Sequence, residues 1–232
     1  MTMSGKIFNK ILLCAAFLSG AAPCAFSQAN TGFTPYSIFG VGDLTMPGTA
    51  YNRSMGGVGI ANRNNRFINI TNPAAVTARD SLAFMADFSL QGENKVFKQG
   101  DMNSVNNTFN VNDCVISFPI YRSSAAMIGI MPYSSTGYGY SFKYTDPSII
   151  GHTGSIKYVA EGQGAIYRLF GAAGVTLWKK LSLGAEAIYY FGETTRNYYG
   201  TIADASYNEV KNGHDLQLNT LSGKFGVQYD LP

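Results

Sequence analysis

Residues 181–191 read LSLGAEAIYYF, and they decide the fold because apolar residues recur at every second position. Every odd-numbered residue of this stretch is apolar, whereas Glu186 falls among the even-numbered ones. A β-strand directs alternate side chains to opposite faces, so the pattern predicts a strand with one apolar face. A charge on the second face is typical of a strand that has lipid on one side and a polar lumen on the other.

Five further segments show the same alternation and bring the number of predicted strands to about six. They are residues 81–90, 113–121, 125–133, 164–177 and 220–229. Four of them are nine or ten residues long and residues 164–177 are fourteen, and about ten residues suffice for a strand that crosses a bilayer. Single charges stand opposite the apolar faces, and the candidates for polar side chains in a lumen are Asp87, Arg168, Glu186 and Lys224.

The connections between these strands alternate in length. Residues 122–124 and 178–180 are short turns, whereas residues 91–112, 134–163 and 192–219 are long, rich in Asn, Gly, Ser and Thr, and predicted to be loops. Outer-membrane barrels combine short periplasmic turns with long external loops. A secreted β-sandwich is the alternative, since it also has short alternating strands. The regular change between long and short connections favours an all-β protein, a transmembrane antiparallel β-barrel.

The composition supports the outer membrane as the location. Only 13% of the residues are charged, 13% are aromatic and 26 of 232 are glycine. Residues 1–29 combine basic residues, a short apolar core and small residues near Ala29, which predicts a cleaved signal peptide. Removing its two lysines leaves 15 basic against 14 acidic residues, so no nucleic acid is expected as a partner.

The residues that carry most enzyme and metal chemistry are few. Cys114 is the only cysteine outside the predicted signal peptide, and His152 and His214 are the only histidines. No disulfide framework, metal site or cofactor is therefore expected. A membrane-embedded hydrolase would use a Ser/His pair at the rim of the barrel. Both histidines fall in predicted external loops, but no serine has a recognisable catalytic context, so no catalytic residue is assigned and no enzyme is predicted.

The stretch before the first strand has a different character. Residues 55–76 read MGGVGIANRNNRFINITNPAAV, with three glycines followed by asparagines and a proline. A dinucleotide-binding loop is excluded because the third glycine of that fingerprint is replaced by Asn62. Glycine permits turns at positive φ, and Asn with Pro fixes turns, so residues 30–80 predict a compact plug, or hatch, against the barrel wall. Its candidate residues are Met55, Gly56, Gly57, Gly59, Asn72, Pro73 and Ala74.

The run Met55–Ala61, followed by Asn72-Pro73-Ala74 ahead of the first strand, resembles the N-terminal hatch of the FadL-type long-chain fatty-acid transporters. The resemblance implies a fourteen-stranded barrel that takes up hydrophobic compounds passively and releases them sideways into the membrane. Outer-membrane lipid and hydrophobic small molecules would be its partners. It also implies a lateral opening at a kink in the third strand, where Pro132 stands, and extracellular strand extensions at residues 139–144 and 155–160.

Three regions follow from these observations: a signal peptide at 1–29, a periplasmic or lumenal hatch at 30–80, and barrel strands at 81–232. Six strands are fewer than the fourteen of the family, so we expect the chain to be the N-terminal part of a longer protein. A second function also fits the sequence, namely a FadL-like, PorV-type accessory of a protein-secretion system. Components of that system would then be the partners.

Overall fold

A single antiparallel β-sheet makes up most of the computed structural model, which describes residues 32–79, 83–151, 154–202 and 208–230. Six long strands follow one another as a meander: β2 (Met85–Gln99), β3 (Met102–Tyr121), β4 (Ser124–Tyr144), β5 (Ile156–Leu177), β6 (Leu181–Ile202) and β7 (Val210–Tyr229). A two-residue strand, β1 (Asp43–Leu44), pairs with β4. The predicted signal peptide, the start of the first predicted strand (Ser81 and Leu82) and His152 lie outside the described residues.

The all-β prediction is confirmed, and the described strands form one sheet in place of the two stacked sheets of a sandwich. Within the described residues this sheet is open, with β2 and β7 at its two ends, so the closed barrel of the prediction is not seen. Both short turns are confirmed. The turn after β3 joins Tyr121 to Ser124, and the turn after β5 joins Leu177 to Leu181. The end of the sheet that carries these turns is called the turn end below, and the opposite end is the far end.

The strands are about twice as long as predicted, and the prediction of loops at 91–112, 134–163 and 192–219 is wrong for most of those residues. The stretch 91–112 is a hairpin in which the ladder from β2 to β3 reaches Gln99 and Met102. Gly100 occupies the hairpin turn at φ +58°, a conformation that costs glycine little. Asn, Ser and Thr are common in loops, but they also pair across solvated strands. The extensions predicted at 139–144 and 155–160 are strands, within β4 and within β5 from Ile156 onward, and their extracellular location stays a prediction.

The two faces of the sheet differ in composition. The outer face of β5–β7 is apolar in its turn-side half, with exposed side chains at Leu169, Leu183, Leu221, Phe225 and Val227. On the side of this band that is nearer the far end, the rings of Tyr167 and Tyr189 each stack on the ring of Phe191. Exposed Tyr121, Trp178 and Tyr229 lie at the turn end of the band. Beyond Phe191, toward the far end, the outward positions of β6 and β7 become polar, as at Glu193 and Gln217.

The inner face of the sheet is covered by the hatch segment, defined here as residues 32–79. This segment contains a 3₁₀ helix (Pro35–Ile38), β1, the short helix α1 (Ala50–Ser54) and a second 3₁₀ helix (Pro73–Thr77). A further short helix, α2 (Pro147–Ile150), lies between β4 and β5. None of the helices in the described residues is long and apolar enough to cross a membrane. The hatch side chains Ile68, Ile70 and Val76 form the apolar core together with inner-face residues of the sheet, including Met127 and Phe170.

β3 and β4 are paired only in the half of the sheet near the turn end and separate toward the far end. Their ladder starts at Tyr121 and Ser124 and its last pair is Cys114 with Ile130. Beyond this pair β3 continues with β2, while β4 continues with β5. The hatch segment covers the released edge of β4, because Asp43 and Leu44 pair with Ser135 and Ser134. Residues 30–80, which were predicted only as a compact hatch, therefore also supply one short strand of the sheet, β1.

Candidate functional site

The site lies where the hatch segment meets the inner face of β6 and β7. Asn72 caps the second 3₁₀ helix, because its Oδ1 accepts a hydrogen bond from the backbone N–H of Ala74 at 3.0 Å. Its Nδ2 donates to the carbonyl of Ile60 at 2.9 Å and to the carbonyl of Val227 on β7 at 3.3 Å. One side chain therefore closes the turn, ties it to the glycine-rich run and fastens both to the wall.

Two glycines of the wall make room for this turn. Gly184 and Gly226 face each other in the ladder between β6 and β7. A Cβ on Gly184 would lie 2.4 Å from the carbonyl carbon and oxygen of Pro73, and a Cβ on Gly226 would lie 2.0 Å from Oδ1 of Asn72. Both distances are far below van der Waals contact. The Asn-Pro-Ala turn therefore sits on a flat area of the sheet that no larger residue would leave open.

Polar side chains fasten the hatch segment around this area. Lys224 donates from Nζ to the carbonyl of Ile70 at 3.0 Å and lies 2.9 Å from Oε2 of Glu186, whose side chain is almost fully buried. Gln228 donates from Nε2 to the carbonyl of Ile60 at 3.0 Å. Buried backbone carbonyls of the hatch are thus satisfied by the sheet, as buried polar groups require.

Arg63 and Thr77 anchor the turn end of the hatch segment. Arg63 donates from Nη1 to Oγ of Ser182 at 2.9 Å and from Nη2 to Oγ1 of Thr77 at 3.2 Å. Oγ1 of Thr77 in turn donates to Oγ of Ser182 at 3.2 Å. Arg63, Arg66 and Arg79 line a cavity of about 700 Å³ whose acidic lining residue is Asp230. Burial lowers the pKa of Arg63 and of Arg79, but arginine starts so high that both stay charged.

The glycine-rich run forms the second turn of the hatch. Met55 follows α1, and Gly56 and Gly57 adopt φ of +71° and +84°. The backbone N–H of Gly57 donates to the carbonyl of Asn52 at 2.8 Å. Gly59 packs closely, since a Cβ there would lie 2.0 Å from Oγ1 of Thr71. Gly56 and Gly57 therefore require glycine for their backbone conformation, and Gly59 requires it for close packing inside the hatch.

Two buried asparagines, Asn52 and Asn69, stabilise the inside of the hatch, and neither was among the residues predicted from the sequence. Asn52 donates from Nδ2 to the carbonyl of Val58 at 3.2 Å, and its Oδ1 accepts from Thr49. Asn69 donates from Nδ2 to the carbonyls of Gly59 and Asn62. The one signal that could have found them is the spacing of Thr49 and Asn52, which fits a helix-capping pattern. The wall residues Gly184, Gly226, Ser182 and Gln228 gave no local signal.

The four candidate lumen side chains all point to the face that the hatch covers. Glu186 pairs with Lys224 as described above. Arg168 donates from Nη2 to Sδ of Met131 at 2.7 Å, and its guanidinium carbon lies 5.7 Å from the ring centre of Phe170. Asp87 is half-buried on the same face, but it lies on β2, at the opposite end of the strand order from β6 and β7. The structure therefore unites only Glu186 and Lys224 with the Asn72 turn. The lumenal role of all four residues and the plug role of the hatch residues stay predictions.

Pro132 interrupts the ladder between β4 and β5. The register shifts between Pro132 and Ser134, which leaves Tyr133 as the extra residue of a bulge opposite Tyr167 and Ile166. Proline cannot donate to a ladder, so its presence at a bulge is expected. Whether the sheet opens at this position stays a prediction. His214 lies near the ring of Tyr198 on β6. Among the described residues, no three His, Cys, Asp or Glu side chains gather as a metal site would require.

These features define a β-sheet protein whose N-terminal segment is locked onto one face of a long antiparallel meander. The family model of BamG matches residues 7–232, and the chain belongs to the BamG family. No curated protein and no solved structure matches the chain. The family indicates an outer-membrane-associated protein, in agreement with the coarse location that the composition predicted.

Family membership overturns the function that was predicted from the sequence. The FadL resemblance is wrong, because the matching family is BamG and not FadL. Fatty-acid transport is wrong with it, and the secretion accessory gains no support. The β-barrel assembly machinery replaces lipid, hydrophobic small molecules and secretion components as the indicated partner. The physical reason is plain: the Gly-rich run and the Asn-Pro-Ala turn specify a backbone that packs on a sheet, and such a backbone is independent of any ligand.

Proposed function

We propose that the protein is a subunit of the machinery that assembles β-barrel proteins in the outer membrane. The observation that carries this proposal is the match of the BamG family model to residues 7–232. The role is structural and non-catalytic. The site described above consists of contacts within the chain: Asn72, Lys224 and Gln228 all donate hydrogen bonds to backbone carbonyls across the boundary between hatch and sheet.

We further propose that the turn-side half of the sheet is embedded in the membrane as part of a β-barrel wall. Support comes from the apolar band on the outer face of β5–β7, bordered by aromatic rings on both sides. From Leu181 to Phe191 the band covers ten residue steps, about 33 Å along the strand. At a tilt of about 40° this gives a height near 25 Å, which is the apolar height of outer-membrane barrels.

The far-end half of each strand would then stand outside the bilayer. β5 and β6 contain 22 residues each, whereas about 10 suffice to cross a membrane. The outward positions beyond Phe191 are polar, as a solvated wall requires. In this proposal the hatch segment occupies the interior of the wall and stiffens it, since its contacts reach β4, β5, β6 and β7. A stiff wall above the membrane is suited to holding other subunits in place.

Affinity purification of the tagged, full-length protein tests the proposed function. Membranes of the native host are extracted with a mild detergent, and the co-purifying subunits of the assembly machinery are quantified by mass spectrometry. An abundant, unrelated outer-membrane barrel with the same tag is the control. We expect the machinery subunits to be enriched at least tenfold over this control. Depletion of the protein should also lower the amount of several outer-membrane barrels together.

Two results would refute the proposal. One is co-purification of the machinery at the level of the control barrel. The other is unchanged outer-membrane protein content after depletion.

A further inference from the structure

The cavity at the turn end of the hatch segment carries an excess of positive charge. Its volume is about 700 Å³, within the range of about 300–1,000 Å³ that is usual for ligand clefts. Arg63, Arg66 and Arg79 line it, and Asp230 is the only acidic side chain among its described lining residues. Asp80, which follows Arg79 in the sequence, lies outside the described residues, and even one further carboxylate would leave the arginines in excess. The lining of the cavity is therefore positive.

Two of these arginines are held in place by neutral acceptors. Arg63 donates to two hydroxyl groups and one amide oxygen, and Arg79 donates to two backbone carbonyls and one hydroxyl group. Because none of these acceptors is charged, the hydrogen bonds fix the direction of each guanidinium without neutralising it. A guanidinium has five N–H donors, and these contacts use three of them in each residue. The two side chains are therefore preorganised cations, which reduces the entropy cost of binding an anion.

The cavity lies on the hatch side of the sheet, away from the apolar band. Arg63 reaches Ser182 and Gln228, which are buried on the face that the hatch covers. The apolar band is on the opposite face, so lipid that surrounds this band does not reach the arginines. Arg66 and Phe67, which also line the cavity, are exposed. A protein segment that approaches the turn end from the hatch side can therefore contact them.

Phe67 gives the cavity an apolar contact beside its charges. The ring of Phe67 stacks on the ring of Tyr51, with 4.1 Å between the ring centres and 5° between the planes. Phe67 is nevertheless 44% exposed. Aromatic residues and arginine are both enriched in protein interfaces. A fixed ring next to guanidinium groups is suited to a segment that combines carboxylates with an apolar side chain.

We propose that this cavity binds an acidic segment of a partner protein, in which several Asp or Glu side chains surround an apolar residue. Carboxylates accept paired hydrogen bonds from guanidinium groups, and the charge attraction strengthens these bonds. The arginines supply the positive charge, and Phe67 supplies the contact for the apolar side chain. The inference does not rest on the assembly role proposed above, because it follows from the lining of the cavity alone.

A labelled peptide tests this proposal. The probe has four glutamates around a central leucine, a serine at each end and a fluorophore, and it is added to the full-length protein in phosphatidylcholine nanodiscs. Binding is measured by fluorescence anisotropy. A peptide with glutamine in place of every glutamate keeps the length and the leucine but loses the charge, and we expect it to bind at least about tenfold more weakly. Equal binding of the two peptides would overturn the proposal.

Matched variants locate the binding site. Arg66→Glu should weaken binding of the acidic probe at least about tenfold. Arg66 is suitable because the described hydrogen bonds between hatch and sheet come from other side chains. Arg122→Glu is the control, since it makes the same charge change in the exposed turn after β3, outside the cavity lining, and should weaken the probe by less than about twofold. Arg66→Gln removes one charge without reversing it and should give a smaller loss than Arg66→Glu, which keeps the test valid if the reversal disturbs folding.

Asp230→Asn should change binding in the opposite direction. Removing the acidic side chain from the lining should strengthen binding of the probe about two- to fivefold, which a merely structural effect would not do. Unchanged or weaker binding in Asp230→Asn, or equal weakening by Arg66→Glu and Arg122→Glu, would overturn the proposal. Native mass spectrometry in which Arg66→Glu loses bound phosphatidylglycerol but keeps the probe would overturn it in favour of a lipid headgroup.

Discussion

Replacing Gly184 with alanine should detach the Asn-Pro-Ala turn from the sheet. The new Cβ would lie 2.4 Å from the backbone of Pro73, and ordinary contact begins near 3.4 Å, so the turn must move by about 1 Å. The obstacle is backbone, so no rotamer change can relieve it. Overpacking costs about 1–3 kcal/mol. The bond from Asn72 to the carbonyl of Val227, already 3.3 Å long, would also be lost at about 1 kcal/mol.

The sum of about 2–4 kcal/mol corresponds to a 30- to 700-fold rise in hatch opening. Hydrogen exchange with mass spectrometry, on the full-length protein in lipid nanodiscs, measures this rise in peptides from residues 55–79. Gly223→Ala is the matched control, because its Cβ would find its nearest neighbour at 3.8 Å. If hydrogen exchange in Gly184→Ala equals that of the wild type and of this control, the idea that close packing on Gly184 holds the turn is refuted.

Three further predictions follow from single features. Lys224→Met leaves the carboxylate of Glu186, a residue only 4% exposed, without its partner and should lower the free energy of thermal unfolding by about 2–3 kcal/mol. Adding Glu186→Gln should restore most of this loss. Equal losses in the single and the double variant would contradict the pairing. Phe225→Arg, at mid-height of the apolar band, should destabilise vesicle-inserted protein by about 2–4 kcal/mol, whereas Gln217→Arg above the band should change it by less than about 1; equal effects would contradict membrane embedding. Lys179→Gly should raise urea stability by about 0.5–1 kcal/mol, because Lys179 adopts φ of +61°, and an unchanged midpoint would show that this turn is unstrained.

Sequence alternation was sufficient to predict the strands where one face is apolar. Residues 181–191 are the clearest case, since every outward position there is apolar and the structure extends them as β6. The far-end halves escaped prediction because polar residues interrupt both of their faces, so no regular period of two survives at residues 103–107. Their pairing depends on the neighbouring strand, and one strand alone does not reveal it. The two-residue β1 escaped for the same reason, because only the released edge of β4 makes it a strand.

The sequence predicted the hatch residues of the site but not the residues of the sheet that they contact. The glycine run and Asn72-Pro73-Ala74 were recognisable because local backbone shape requires those residue types. Their partners Gly184, Gly226 and Gln228 were not, because a glycine or glutamine inside a strand gives no sign of what rests on it. The same limit explains the wrong family. A motif that describes how a turn packs on a wall does not describe what the assembled protein does.

The contacts between the hatch and β7 also determine an order of events during folding. Asn72 reaches Val227 and Arg63 reaches Gln228, at separations of 155 and 165 residues. Such contacts form only after the intervening chain has been ordered, because closing a long loop is entropically expensive. The hatch leaves the synthesis machinery first, yet its last anchors arrive with the last described strand. Until then the turns of the hatch have no sheet surface on which to pack. Docking of the hatch therefore shows that the sheet has been completed as far as β7.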